Sequence, residues 1–273
     1  MSCTPQAVAE VVESVRSKRP LVHHITNIVT VNAVANITLC IGALPVMAHA
    51  REEVEQMVEA SQALVLNIGT LTPEQVDVMV LAGRRANERG IPVVLDPVGV
   101  GATDLRTASA RRLMQELSIA IIRGNAAEIA VLAGVEAKIS GVESLGTAAD
   151  PATVAAKFAR QQRCVAVVTG AVDVVTDGNH LIRIANGHPM MGTVTGTGCM
   201  ATAVIGACAA VETNPLRAAF AALAAYGLAG ELAATRSQGP GTFQVQLFDA
   251  LASLTAETIL AGAHITEEPV VLR

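Results

Sequence analysis

The chain reads as an α/β protein: a mostly parallel central sheet with helices on both faces. Short runs of Val, Ile and Leu alternate along it with longer segments of helical period. Those runs are apolar at nearly every position, as in strands buried on both faces of a parallel sheet. No Pro/Ser linker, charge block or internal repeat divides the 273 residues. One domain, 1–273, is therefore predicted, a common length for a single α/β unit.

Each element has its own local reason. Residues 1–20 mix acids with apolar residues and read as an amphipathic helix, not a secretory leader. LVHHI (21–25) reads as a strand and TVNAVANITLCIGA (30–43) as a helix. ALVLNIGT (63–70) is a buried strand. The next helix begins at Thr72-Pro73, a capping hydroxyl before a first-turn proline, and ends near Gly90. VVLDPVGVG (93–101) is a strand entering a glycine-rich loop, and IAIIRGN (119–125) a strand feeding the helix AAEIAVLAG. A polar stretch at 138–150 precedes a helix over 152–162 and a strand, CVAVVTG (164–170). Residues 172–185 form a hairpin turning at Asp177-Gly178-Asn179. The remainder reads as almost wholly helical: CMATAVIGACAAV, then PLRAAFAALAAYGLAGELAAT, then about 242–262. The helices of 201–235 are so rich in alanine that part of their surface is predicted to pack on another subunit.

Composition narrows the function. Apolar residues make up 51% of the chain and charged residues 16%, which excludes disorder. Aromatics at 2% and a formal net charge of −5 offer neither a base-stacking platform nor a footprint for a nucleic-acid backbone. Lysine occurs only at Lys18, Lys138 and Lys157, none in a G-x-x-x-x-G-K-[ST] loop, so arginine, backbone amides or a metal must hold any anion. Five cysteines with no C-x-x-C spacing indicate a reduced, cytoplasmic chain. Pro20 to Ala50 and Ile184 to Val211 carry no Asp, Glu, Lys or Arg. Their Asn, His, Thr, Gly and Pro argue against membrane spans and for a buried site where backbone approaches a ligand.

Ligands in open α/β sheets bind beyond the carboxyl ends of the strands. Four predicted strand ends are polar there: Asn67-Ile68-Gly69-Thr70, Asp96-Pro97-Val98-Gly99, Arg123-Gly124-Asn125 and Thr169-Gly170. Asp96 suits a water-mediated Mg²⁺ ligand, and equally an Asx-turn. Asn125 and Glu128 fit a capping box. Glu128 would also stand at the same edge as Asp96 and Arg123, as a metal–polyphosphate site requires. The sharpest feature is Thr195-Gly196-Thr197-Gly198-Cys199 at a helix entrance, where successive N–H groups and the helix dipole attract anions. As a dinucleotide fingerprint it is weak, with no clean strand before it and no acid about twenty residues beyond. At such an entrance the Cys199 thiol is expected to have a lowered pKa. His23, His24 and His188 lack metal-ligand spacing.

At these motifs the chain resembles the hydroxyethylthiazole kinase family of the ribokinase-like superfamily. HHITNIVTVNAVANITLCIGALPVMAHAREEV, DPVGVGAT, RGNAAEI and TGTGCMATAV match the family's motifs in order, over roughly residues 10 to 262. The resemblance implies ATP- and Mg²⁺-dependent phosphorylation of the hydroxyethyl group of 4-methyl-5-(2-hydroxyethyl)thiazole in thiamine salvage. It places Arg123 and Thr169, with Asn125, at ATP, and Asp96 and Glu128 at Mg²⁺. Met47, Gly196, Asn27 and Gly69 fall on the thiazole side. Gly196, Thr197, Gly198 and Cys199 form the anion hole, with Cys199 where most of the superfamily has Asp. It further implies a homotrimer with the thiazole site at the subunit interface. Three other functions fit less of the sequence: a kinase for another heterocyclic alcohol, a nucleotide-dependent NAD(P)H-hydrate dehydratase, and a non-catalytic binder of thiazole or nucleotide.

Overall fold

A computed structural model of the chain describes residues 3–135 and 150–270; most of the polar stretch predicted at 138–150 lies outside them. The first half builds α1 (Pro5–Lys18), β1 (Leu21–Ile25), α2 (Val31–Ile41), β2 (Leu44–Val46), α3 (Val54–Ala60), β3 (Ala63–Asn67), α4 (Pro73–Arg89), β4 (Val93–Asp96), α5 (Asp104–Glu116), β5 (Ile121–Asn125) and α6 (Ala126–Leu132). The second half adds α7 (Pro151–Gln162), β6 (Val165–Thr169), β7 (Asp173–Thr176), β8 (His180–Ile184), a 3-10 turn (Pro189–Thr193), α8 (Thr197–Ala209), α9 (Pro215–Thr235), α10 (Pro240–Ala252), α11 (Ala256–Gly262) and β9 (Ile265–Pro269).

The nine described strands form one sheet in the order β2-β1-β3-β4-β5-β6-β7-β8-β9. From β2 to β6 every pairing is parallel, and β7, β8 and β9 are antiparallel additions at one edge. Four helices start with the same device. Thr4-Pro5, Thr72-Pro73, Asp150-Pro151 and Asn214-Pro215 each place a capping side chain on the first-turn amides, followed by a proline whose missing N–H costs nothing there.

Alternate residues of each strand face opposite layers. Val65, Val94 and Ile121 pack under α1, α2 and α8 to α11, while Leu66, Leu95 and Ile122 pack under α3 to α7. The alanine-rich helices differ from expectation. The buried faces of α8 and α9 are covered by this chain's own elements, since α9 packs against α1, α8 and α10. Small alanine side chains let those backbones approach closely, so no second subunit is needed to bury them. Helix α9 is long and apolar enough to cross a membrane by length and composition, but 78% of its apolar window is buried inside the protein.

The sequence reading omitted β2, α3, α5 and β9. Strand β2 has only three residues, LPV, and β9 is ITEEP, whose exposed edge position needs no apolar run. Helix α5 carries a polar DLRTASARRLMQE with few core contacts. Its burial is confined to Ser109, Ala110 and Leu113, too sparse for periodicity to show. The predicted helix over 242–262 is interrupted at Ser253 to Thr255, where Thr255 caps a new helix.

Candidate active site

The parallel strands β3, β4, β5 and β6 end side by side, and their last residues meet the N-terminus of α8. Asn67 is registered opposite Asp96, and Asn125 opposite Thr169. Asp96 is fully buried at the centre. Its Oδ2 accepts from Asn67 Nδ2 (2.8 Å) and from Thr202 Oγ1 on α8 (2.8 Å). Its Oδ1 is buried with no hydrogen-bond partner, and the nearest cation is Arg123, whose Nη1 stands 3.6 Å away. Burial pushes the Asp96 carboxyl up to about 6; Arg123 pulls it down and Glu128 adds to the rise.

Arg123 leaves β5 and donates to Thr169 Oγ1 at 2.5 Å. It lies against Gly198, where an added Cβ would sit 2.7 Å from Nη1, so a larger residue there would displace the guanidinium. Gly196 caps α8 with φ +91°, the left-handed region that glycine adopts without strain. The N–H groups of Thr197, Gly198 and Cys199, in the first turn, have no acceptor within the helix. Arg123, Thr169, Thr197 and Gly198 line a cavity of about 530 Å³, with Asp173 and Tyr226 on its walls. Asp173 was missed by sequence reasoning: it starts the hairpin strand β7, where an acid reads as a turn residue. Its carboxylate accepts from Gly170 N (2.9 Å), and burial pushes it up to about 6.

On the other side of Asp96, the segment after β1 closes over Cys199. Asn27 Nδ2 donates to Asn67 Oδ1 (2.9 Å), and Asn67 Nδ2 reaches Cys199 Sγ at 3.2 Å. Thr30 donates through both N–H and hydroxyl to Asn27 Oδ1. Gly69 packs on Asn27, and Gly196 on Thr30. Met47 follows β2, which pairs with β1, and is half-buried. The two uncharged stretches thus flank one place, as their composition suggested. Asn67 and Thr202 are the functional neighbours the sequence reading did not assign. Asn67 had the signal of a polar residue ending a buried strand, whereas Thr202 is hidden in an apolar helix.

The Cys199 thiol corrects an expectation. Instead of being lowered by the helix entrance, its pKa is raised, first by burial and then by the Asp96 carboxylate; hydrogen bonds from Thr30, Asn67 and Asn27 oppose the rise without cancelling it. The resting site therefore holds mainly the neutral thiol. Glu128 and Asn125 make the full capping box of α6, with Glu128 N on Asn125 Oδ1 (2.9 Å) and Asn125 N on Glu128 Oε2 (2.8 Å). The other oxygen, Glu128 Oε1, accepts from Gly99 N (2.7 Å) in the loop after Asp96. His23 and His24 are buried in β1, bonded to Ala48 O and Thr38 Oγ1, and burial pushes His24 down to about 3. Both read as neutral structural residues.

A mostly parallel sheet thus brings a buried carboxylate, an arginine and a glycine-rich helix entrance together at its carboxyl edge. A structure of a ribokinase-like superfamily protein from Enterococcus faecalis shares the fold at a TM-score of 0.62, 13% identity, over 88% of this chain and 89% of that one. The model of the hydroxyethylthiazole kinase family matches residues 12–257. A hydroxyethylthiazole kinase of Chloroflexus aurantiacus is 56% identical over 261 residues, covering 96% of this chain and 97% of the relative. The structure of the hydroxyethylthiazole kinase protein from Pyrococcus horikoshii superposes with a TM-score of 0.88 at 42% identity, over 96% and 98% of the two chains. The chain belongs to the hydroxyethylthiazole kinase family, and it is a kinase of thiamine salvage.

Proposed function

We propose that this chain transfers the γ-phosphoryl group of ATP to the primary alcohol of 4-methyl-5-(2-hydroxyethyl)thiazole, with Mg²⁺, across the strand ends that Asp96 joins. The observation that supports it most is the continuous chain of contacts Asn27–Asn67–Asp96–Arg123–Thr169, which runs from an uncharged segment on one side of the α8 entrance to the cavity that Arg123 lines on the other. The uncharged side, with Asn27, Gly69, Gly196 and Met47, suits a small heterocycle bearing one hydroxyl. On the cationic side, Arg123, Thr169 and Asn125 take the nucleotide. The donor set fits Mg²⁺: Asp96 Oδ1 is an orphaned buried carboxylate oxygen, and the Glu128 carboxylate is close enough for its charge to raise the Asp96 pKa. Bound there through water, the ion neutralises charge on the phosphates. The chain itself positions the reactants and stabilises charge with Arg123 and the amides of 197–199, which is most of what a loose phosphoryl-transfer transition state requires.

The enzyme acts as one domain in the cytoplasm and assembles as a homotrimer. Ile28 and Val29, 80% and 66% exposed directly after Asn27, are the apolar surface a neighbouring subunit would cover beside the thiazole site. ADP formation that depends on the thiazole alcohol and Mg²⁺ is the deciding test. ATP turnover without the alcohol, or dehydration of hydrated NADH, would replace this reading with a rival one.

Arg123→Lys should weaken apparent ATP affinity about tenfold or more while thiazole affinity stays within about twofold. The guanidinium spans Thr169 and Asp96 and still presents donors to phosphate, whereas an ammonium is a single point charge. Separate KM values for the two substrates check this, and an equal loss for both would mean a disturbed fold instead.

Cys199 is placed to accept the alcohol's proton, but a neutral resting thiol is a weak base. The proton leaves late in such a transition state, so the base contributes less than the anion hole. Cys199→Ser should therefore slow turnover about tenfold without abolishing it, and Cys199→Asp should stay active with a lower pH optimum. A folded Cys199→Asp enzyme that binds both substrates and is inert would sink the base assignment, and a trapped phospho-cysteine would replace it with a covalent one.

A further inference from the structure

Helix α5 enters the site from outside through one side chain. Arg106 stands in its first turn, where Thr103 Oγ1 accepts from the Arg106 N–H (3.3 Å). Its guanidinium donates to three backbone carbonyls: Nη1 to Val98 O (2.6 Å) and Ile68 O (3.2 Å), and Nη2 to Gly69 O (2.6 Å). Among the described residues no carboxylate pairs with it, so the charge is directed wholly at these carbonyls. The carbonyls belong to two different loops. Ile68 and Gly69 follow β3, and Gly69 packs on Asn27 beside Cys199. Val98 follows β4, and the next residue, Gly99, donates its N–H to Glu128. Gly99 also fits tightly under the arginine: a Cβ there would lie 3.1 Å from Nη1.

We infer that Arg106 is a positioning residue that fixes the acceptor-side loop at Gly69 relative to the metal-side loop at Val98–Gly99, and so sets the distance between alcohol and phosphate. The inference rests on the reading that Asn27 and Gly69 face the alcohol while Asp96 and Glu128 face the metal. Arginine is required because its planar fork serves two loops at once; a lysine ammonium carries no such fork. Beneath them Asn67 Nδ2 and Ile68 N both donate to Asp96 and join the bases of the two loops; among the described residues, Arg106 is the side chain that ties their outer ends together. A misplacement of about 1 Å at the reacting atoms can cost about 10²-fold in rate.

The test uses the full-length enzyme carrying Arg106→Lys or Arg106→Gln, with Glu128→Gln and Asn27→Ala as controls. For each variant kcat, KM for the thiazole alcohol, half-saturating Mg²⁺ and the unfolding midpoint are measured. Both Arg106 variants should lower kcat about tenfold or more and raise the requirement for alcohol and for Mg²⁺ together, with lysine restoring only part. The controls should separate, Glu128→Gln moving Mg²⁺ and Asn27→Ala moving the alcohol. If the controls separate but the Arg106 variants change only the unfolding midpoint, or move one ligand alone, Arg106 is a structural staple and the inference is overturned while the site reading stands. If the controls move neither ligand, the site reading fails and the inference falls with it. Should glutamine prevent folding, the lysine variant decides, because it keeps the charge and the aliphatic stem.

Discussion

Asp96→Asn should cut turnover by about 10²–10³-fold or more in a protein that still folds and binds the thiazole alcohol. Asparagine has the shape of aspartate, and its carbonyl oxygen can still accept from Asn67 Nδ2 and Thr202 Oγ1, the two donors that hold Asp96 Oδ2. What it removes is the charge carried by Oδ1, the one carboxylate oxygen at this strand end that no protein donor uses. If the residue served only as a turn-former at Asp96-Pro97, the amide would serve nearly as well. A folded Asp96→Asn enzyme with turnover within about threefold of wild type would return this residue to that role.

The same substitution should stabilise the metal-free protein at neutral pH, and the sign follows from burial. The folded Asp96 carboxyl titrates near 6, above the 3.8 of a free one, even with Arg123 counted in its favour. Its contribution to stability is therefore complete below about pH 4 and is lost as pH rises through 6. A rise from 3.8 to about 6 corresponds to roughly 3 kcal/mol of lost stability at pH 7. Asparagine never ionises, so urea unfolding should show the variant gaining on wild type between pH 4 and pH 7. A difference that stays flat across that range would mean that the carboxylate is not penalised by its surroundings. Active sites commonly trade stability for a charge held where the reaction needs it.

Why the site was more legible than the fold around it follows from what each element needs. Strands β3 to β6 are buried on both faces, so they are written as apolar runs, and their polar ends at Asn67, Asp96, Asn125 and Thr169 stand out against them. Gly196 is favoured by a left-handed φ and Gly198 by the Arg123 guanidinium packed against it, and so they too are visible in sequence. Elements on the periphery carry no such demand. Helix α5 is half solvated and was not read, and with it went Arg106, whose partners are carbonyls that no sequence pattern marks. The Cys199 thiol was misjudged for a related reason. Its position at a helix entrance is a local fact, but its pKa is raised first by burial under the folded chain and then by a carboxylate from β4, more than a hundred residues away in sequence. Burial and charge at a site are sums over the whole fold.

Glu128→Gln should reduce turnover by about 10²-fold, and the loss should shrink as Mg²⁺ is raised. Two effects must be separated, because Glu128 is plainly a cap as well. Its oxygens accept from two backbone amides, Gly99 N at 2.7 Å and Asn125 N at 2.8 Å. Glutamine has one carbonyl oxygen, so its NH₂ must face one of those N–H groups, donor against donor. The expected cost is about 1–3 kcal/mol of stability, since an unsatisfied donor is added to the loss of a cap. That cost lowers the unfolding midpoint but is indifferent to Mg²⁺. A lost metal-organising charge behaves differently: the ion binds more weakly, and a higher concentration recovers part of the rate. Glu128→Asp sharpens the contrast, because it keeps the charge while its shorter stem cannot span both amides. It should be destabilised comparably yet retain more activity than glutamine at low Mg²⁺. Equal activity of the two variants, with no response to the ion, would leave Glu128 as the N3 residue of a capping box and nothing more. If instead glutamine is slow, magnesium-dependent and slower than aspartate, the loop after Asp96 is held by the same carboxylate that organises the metal. The capping box is then the means by which helix α6 carries that carboxylate to the sheet edge.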